Sequence, residues 1–107
     1  MKLRTEVELN GKKYPFEISL GARFRWEMIT GQPFEPKTSM HWFIYFFCCF
    51  LQADEEFMDQ DFKRFIAECE DDDEAEARMF DALRSLNKRE QNMDGTERVA
   101  ADSKKKG

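Results

Sequence analysis

Residues 40–53 read MHWFIYFFCCFLQA, and the rest of the chain must fold around them because their hydrophobic side chains have to be covered. Eleven of the twelve residues from Met40 to Leu51 are apolar or aromatic. Burying one such side chain is worth roughly 1.5 to 3 kcal/mol. Thr38 and Ser39 are helix-capping residue types, and the stretch contains neither Gly nor Pro. The sequence therefore predicts an aromatic helix over residues 39–53.

This helix is apolar on nearly every side. Its least apolar residues fall on one stripe at helical spacing. They are His41, Tyr45, Cys48 and Gln52, and opposite them lie Phe43, Phe46, Phe47 and Phe50. A membrane span needs about 20 apolar residues, and this run ends well short of that at Gln52 and an acidic segment. The pattern indicates a core helix of a soluble domain. The alternative is a core helix that also supplies a self-association or partner surface.

The composition of the chain is typical of one soluble globular domain. Of its 107 residues, 36% are charged and 41% hydrophobic, and the net charge is -5. No region has the basic excess that phosphate-backbone binding requires, so we expect no nucleic-acid partner. The N-terminal residues lack the apolar segment of a secretion signal, and the three cysteines form an odd set. These features favour a cytoplasmic location with reduced thiols.

Residues 2–20 show the strict alternation of a β-hairpin. Asn10-Gly11 separates two alternating runs and is typical of a type I′ turn. A two-residue loop here pairs positions whose numbers add to 21, which places the apolar pairs on one face. These pairs are Leu3 with Ile18, Thr5 with Phe16, and Val7 with Tyr14. An isolated two-stranded ribbon is marginal in water, so we expect this face to pack against helices or another sheet.

A short helix is predicted over residues 20–30, with Gly31 as its C-terminal cap. The residues that recur at helical spacing are Leu20, Phe24, Met28 and Ile29. Trp26 falls on a different side of this helix from Phe24 and Met28. We interpret Trp26 as a tryptophan packed at the rim of the core, with contact to a partner as the alternative.

Two further amphipathic helices are predicted, over residues 55–69 and 74–88. The apolar stripe of the first consists of Met58, Phe62, Phe65, Ile66 and Cys69. The stripe of the second consists of Ala75, Met79, Ala82, Leu83 and Leu86. We interpret the acidic run Glu70–Glu74 as a solvated connector, with a cation site as the alternative, because the run lacks the spacing of an EF-hand loop. Residues 87–107 are predicted to form a flexible polar tail, or at most a fraying continuation of the last helix.

The predicted fold class is α+β, mainly α: an N-terminal β-hairpin followed by about four helices around the central aromatic helix, in one compact domain of residues 1–86. No nucleophile elbow, Walker A loop, dinucleotide fingerprint or spaced Cys/His set is present. His41 and Cys48 share a helix face but supply only two ligands, whereas structural zinc needs four. We expect no catalytic residue, no metal and no cofactor. An enzyme would need catalytic groups from a partner.

The hydrophobic content of so small a chain predicts a surface for another polypeptide. The candidate contact residues are all aromatic: Trp26, Trp42, Tyr45, Phe46, Phe50 and Phe57. We expect protein partners, including further copies of the same chain, and no membrane.

The order of these parts resembles that of phage tail assembly chaperones, the small proteins encoded just before the tape measure protein of long-tailed phages. The resemblance covers residues 1–70. It rests on the Asn-Gly turn, on LGARFRWEMITGQPF from Leu20 to Phe34, on the apolar helix and on the segment EEFMDQDFKRFI. The most family-like positions are Glu27, Thr30 and Gly31.

This resemblance implies a chaperone that binds the tape measure protein, keeps its hydrophobic helical segments soluble and helps tail tube proteins assemble around it. It also implies action in the host cytoplasm, absence from the mature virion and a longer product made by ribosomal frameshifting. An A-rich codon run for Lys104–Gly107 would suit such slippage. The competing hypothesis is a small homo-oligomeric adaptor without chaperone activity, in which the aromatic helix serves self-association.

Overall fold

The structure is a computed structural model that describes residues 2–98, with side chains described for residues 2–89. Within this range the fold is α+β, mainly α, which confirms the predicted class. One hydrophobic core extends from the hairpin to the last helix. The elements in chain order are β1 (Leu3–Leu9), β2 (Lys12–Ile18), α1 (Leu20–Thr30), α2 (Ser39–Ala53), α3 (Phe62–Glu70) and α4 (Ala75–Arg98).

The hairpin has the predicted turn and register. Asn10 and Gly11 both have positive φ, 54° and 84°, as a type I′ turn requires. The apolar face lies against two helices, since α2 contacts β2 and α4 contacts β1. The predicted pairs Leu3–Ile18, Thr5–Phe16 and Val7–Tyr14 are all present.

Glu17 departs from the alternation of buried and exposed residues along β2. Its side chain is only 2% exposed, between the buried side chains of Phe16 and Ile18. Both α1 and α2 contact this strand, so its last residues are covered on both faces. Arg4 lies opposite on β1 and donates from Nε to Glu17 Oε1 at 2.7 Å, which compensates the buried charge.

The aromatic helix α2 has the predicted bounds and is covered within a single chain. Thr38 caps its N-terminus, because Thr38 Oγ1 accepts the His41 N–H at 3.1 Å. Every residue from Tyr45 to Leu51 is buried, whichever side of the helix it occupies. The N-terminal part of the helix is less covered, since Met40 is 65% exposed and residues 41–44 are half-buried. The fold of one chain therefore covers this helix on every side only from Tyr45 to Leu51.

The orientation of α1 places Trp26 inside the core and not at its rim. Trp26 and Ala22 are fully buried, whereas the four residues whose spacing predicts this helix are exposed. The interpretation of Trp26 as a rim residue is therefore wrong. Its physical reason is volume: the indole is the largest ring on this helix, and its burial withdraws the most apolar area from water.

The predicted continuous helix over residues 55–69 is also wrong. A short turn at Phe57–Gln60, in which Met58, Asp59 and Gln60 have left-handed φ values of 45°, 56° and 58°, interrupts the helix, and α3 begins only at Phe62. The break lets Phe57 enter the core, where its ring stacks on Phe50 at 4.5 Å. Asp61 then starts the new helix by accepting the N–H groups of Lys63 and Arg64.

The last helix, α4, continues beyond the predicted end at residue 88 and reaches Arg98. Residues 87–98 are therefore helical, which agrees with the alternative of a continued last helix and corrects the prediction of a flexible tail for this part. The remaining predicted tail, residues 99–107, and the lysines considered for frameshifting lie outside the described residues.

Candidate protein-binding surface

The structure places the six aromatic residues predicted to contact a partner mostly in the core. Five are buried within this chain: Trp26, Tyr45, Phe46, Phe50 and Phe57. Trp42 is half-buried beside Phe80 of α4, with ring centroids 5.6 Å apart. In this folded state the five buried rings are inaccessible to another protein.

These rings join the hairpin and the helices into one aromatic core. Phe50 is central, since it contacts Phe16 of β2 edge-on at 5.0 Å and stacks on Phe57. Phe46 meets Phe80 of α4 edge-on at 4.9 Å. Edge-to-face and offset-stacked pairs at these distances are favourable beyond their buried area. The aromatic residues of α2 thus hold this fold together.

The three family-like positions build the corner that leads from α1 toward α2. Glu27 Oε2 accepts the Phe34 N–H at 2.8 Å, which ties the connecting loop back to the helix. Thr30 Oγ1 donates to the Trp26 carbonyl oxygen at 2.9 Å and accepts the Gln32 N–H at 3.2 Å. Gly31 ends the helix with a φ of 73°, a left-handed conformation that glycine adopts without strain. Within this chain these three residues end α1 and hold the loop that leads to α2.

Trp26 anchors α1 against α2 at the same corner. Its Nε1–H donates to the carbonyl oxygen of His41 at 2.9 Å. Its ring lies edge-on to Phe34 and to His41, at centroid distances of 5.3 and 5.2 Å. The imidazole is held as well, because His41 Nδ1 accepts the Lys37 N–H at 3.1 Å. This anchoring turns the opposite side of α1 away from the protein.

That outward side carries a line of large apolar side chains. Leu20, Phe24 and Met28 follow one another at intervals of four residues and are 57%, 56% and 83% exposed. We call these three residues the α1 stripe. Ile29 at the end of α1 and Met40 at the start of α2 are exposed as well. An exposed contiguous apolar patch on a soluble protein is typical of an interaction site.

The sequence pattern contains the α1 stripe without revealing its direction. Leu20, Phe24 and Met28 have helical spacing, but so do Ala22 and Trp26 on the other side of the same helix. The sequence signal that distinguishes the two sides is Trp26. Burying its large ring next to the small side chain of Ala22 allows α1 to pack closely on α2.

Two arginines flank the α1 stripe, one on each side of the helix. Arg25 is already engaged, since its Nε donates to Gln52 Oε1 at 3.0 Å and its Nη2 pairs with Glu55 at 2.5 Å. Arg23 is exposed, lies 5.4 Å from the Phe34 ring, and forms no ion pair with any residue from 2 to 89. The surface is therefore apolar, with the Arg23 cation at one margin, near Glu27, and the Arg25–Glu55 ion pair at the other.

The thiols of α2 are sealed in the core. Cys48 and Cys49 are fully buried. Burial raises the pKa of Cys48 to about 12 and that of Cys49 well above its usual value. Both thiols are therefore protonated near neutral pH and are weak nucleophiles. Across the described residues, no group of three or more His, Cys, Asp or Glu side chains is arranged to hold a metal ion.

One carboxylate of the acidic run fastens the hairpin to the helices. Asp72 Oδ2 accepts the Asn10 N–H at 2.6 Å and also pairs with Arg78. Arg78 donates from Nε to the Glu8 carbonyl oxygen at 3.0 Å. Hydrogen bonding from Asn10 is the main cause that lowers the pKa of Asp72. The role of Asp72 within this chain is to connect the α3–α4 loop to the hairpin turn.

None of the helices within residues 2–98 has both the length and the apolar character that crossing a membrane demands. The chain matches no protein-family model, no curated protein and no solved structure.

Proposed function

We propose that this chain is a phage tail assembly chaperone whose α1 stripe covers an apolar helical segment of the tape measure protein. The observation that carries the proposal is the exposure of Leu20, Phe24 and Met28 in line on a helix that is otherwise anchored in a closed core. The chain buries its own aromatic helix and still leaves this line in water. Such a line has the spacing by which one amphipathic helix recognises another.

The remaining surface suits a protein that keeps an apolar client in solution. The net charge of the chain is -5, and the carboxylates are concentrated in the segment from Asp54 to Asp81. A client bound on α1 would share this negative charge, which opposes association between complexes. The tail tube protein is the second expected partner, and the proposal assigns it no surface.

Co-expression with the tape measure protein of the same genome tests the proposal. The native chain is expected to raise the soluble yield of the client, whereas the double variant Phe24→Gln/Met28→Gln is expected to lose most of that effect. The matched control is Ala67→Gln/Ala77→Gln, which changes two exposed residues on α3 and α4. Thermal unfolding of each purified variant establishes that the fold is kept. Equal client solubility with and without the native chain would refute the proposal.

A homo-oligomeric adaptor is the second candidate function. The hypothesis that the aromatic helix serves self-association disagrees with the burial of Tyr45 to Leu51 of α2 inside one chain. The specific observation in favour of an oligomer is a second surface, a groove between α2, α3 and the start of α4 whose floor includes Phe43 and whose rim carries exposed carboxylates.

A further inference from the structure

A groove with an apolar floor and an acidic rim lies where α2, α3 and the start of α4 meet. Its floor is formed by the half-buried side chains of Phe43, Ile66 and Cys69, and its volume is about 420 Å³. An apolar cavity of roughly 150 Å³ accommodates a benzene ring. This open space, which we call the acidic groove, is therefore large enough to receive a large apolar side chain.

The rim of the acidic groove carries carboxylates that are not neutralised by the chain itself. Glu70, Asp73 and Glu76 are exposed, and none of them forms an ion pair with another residue from 2 to 89. Burial, and then the negative charges of Asp72, Glu68 and Glu76, raise the pKa of the Cys69 thiol to about 12. The potential over the floor is accordingly negative, which favours an apolar ligand that brings positive charge.

The α1 stripe together with the neighbouring Arg23 combines apolar side chains with a positive charge. Phe24 and Met28 supply large apolar side chains, and Arg23, at the margin of the stripe over the Phe34 ring, is an exposed cation without an ion-pair partner in residues 2–89. An arginine binds carboxylates in a bidentate geometry and stays charged at any physiological pH. The two surfaces therefore complement each other in polarity and in charge.

The two surfaces lie on opposite sides of α2. The helix α1 packs on the side that carries His41 and Tyr45, through Trp26 and Phe34. Phe43 follows His41 by two residues and so lies about 200° around the helix from it. A chain is therefore unable to place its own α1 stripe in its own groove, and the contact requires a second copy.

We propose that the α1 stripe of one copy docks in the acidic groove of another, so that copies associate head to tail. Because two different surfaces meet, the contact leaves a free stripe at one end and a free groove at the other, and it propagates into rings or chains. The inference is independent of the chaperone role. A client that covers the α1 stripe would compete with this contact and release single copies.

Two variants that each block one surface provide the test. Arg23→Glu/Phe24→Gln blocks the stripe and leaves the groove intact, while Glu70→Lys/Asp73→Lys blocks the groove and leaves the stripe intact. The control Glu6→Lys/Glu8→Lys makes the same change of charge as the groove variant at exposed positions of β1. Sedimentation velocity over a range of concentrations measures association of the purified proteins alone, with circular dichroism to verify folding.

The native chain and the control are expected to associate with rising concentration, and each blocked variant to dissociate at least about tenfold more readily. An equimolar mixture of the two blocked variants is expected to form dimers that grow no further, because it contains one intact stripe and one intact groove per pair. A native chain that stays monomeric at high concentration overturns the proposal. Association of either blocked variant by itself, or a mixture that stays monomeric, overturns it too. None of these outcomes depends on the client assay.

Discussion

Trp26 determines which side of α1 faces the core, since its ring is fully buried and its Nε1–H is bonded to the His41 carbonyl oxygen. Phe24, two residues earlier, is more than half exposed on the same helix. The two aromatic residues therefore have opposite roles: Trp26 stabilises the fold, and Phe24 is free for contact with another protein.

We predict that Trp26→Ala lowers the free energy of unfolding by about 3 to 5 kcal/mol, because it removes a buried ring and leaves a cavity. Phe24→Ala is expected to change it by no more than about 0.5 kcal/mol, as exposed substitutions usually do. Urea unfolding followed by circular dichroism measures both values. Similar losses for the two variants would show that Phe24 also belongs to the core.

Asp72 contributes stability that depends on pH. Its pKa in the folded chain lies below the ordinary value of 3.8, chiefly because of the hydrogen bond from Asn10, so folding favours the carboxylate form. The stabilisation is complete well above pH 3.8 and is lost as the pH falls through the lowered pKa. Asp72 therefore adds to acid sensitivity.

We predict that Asp72→Asn lowers the free energy of unfolding at pH 7 by about 1 kcal/mol, because it weakens the hydrogen bonds to Asn10 and Arg78. The variant is also expected to lose less stability than the native chain between pH 5 and pH 2. Chemical unfolding across this pH range provides the measurement. Asp73→Asn serves as the control, since Asp73 is exposed and forms no ion pair within residues 2–89. Parallel pH curves for the native chain and Asp72→Asn would contradict the prediction.

At the scale of the elements, α1 and α2 approach each other closely at Gly21. A Cβ atom placed on Gly21 would lie 2.4 Å from Nε2 of Gln52. The Gln52 side chain is held there by Arg25, whose Nε donates to Gln52 Oε1. The glycine thus makes room for a hydrogen-bonded side chain that connects the two helices.

We predict that Gly21→Ala raises the free energy of unfolding by about 0.5 to 1 kcal/mol in a Gln52→Ala background, because alanine is the better helix former. In the native background the added methyl group displaces Gln52 from Arg25, and this gain is expected to vanish or reverse. A double-mutant cycle by urea unfolding measures the coupling. Additive effects would mean that the two helices tolerate the methyl group without moving Gln52.

The protein as a whole combines an acidic surface with the apolar α1 stripe. The net charge of -5 is expected to weaken association between copies near neutral pH without preventing it, and this charge disappears near the isoelectric point of about 5.0. Repulsion then no longer opposes contacts through Leu20, Phe24 and Met28. The tendency to associate should therefore be strongest at mildly acidic pH.

We predict that the native chain has its lowest solubility near pH 5, and that Phe24→Gln/Met28→Gln stays several-fold more soluble there at the same net charge. Light scattering during titration from neutral to acidic pH is the measurement. The control Ala67→Gln/Ala77→Gln should precipitate like the native chain. Equal precipitation of all three proteins would assign the effect to charge alone.

The elements that could be predicted from the sequence are those determined by interactions between residues close together in the chain. The register of the hairpin follows from alternation and from Asn10-Gly11. The end of α1 follows from Gly31 and the start of α2 from Thr38, both as capping residues. These features depend on interactions over a few residues, which a sequence pattern records directly. The apolar character of residues 40–51 likewise requires α2 to be a core helix.

Two features required the tertiary structure: which side of α1 is buried, and where the chain breaks before α3. Helical spacing left two sides of α1 available, and the better fit of Trp26 against His41 left Phe24 and Met28 in water. Likewise, the left-handed residues after Phe57 accompany the stacking of Phe57 on Phe50, a contact that the local sequence pattern does not record. The amount of apolar surface on this protein can be read from its amino acids alone. Which part of that surface remains exposed depends on packing between distant residues, because burial depends on the volume and shape of the side chains that lie opposite.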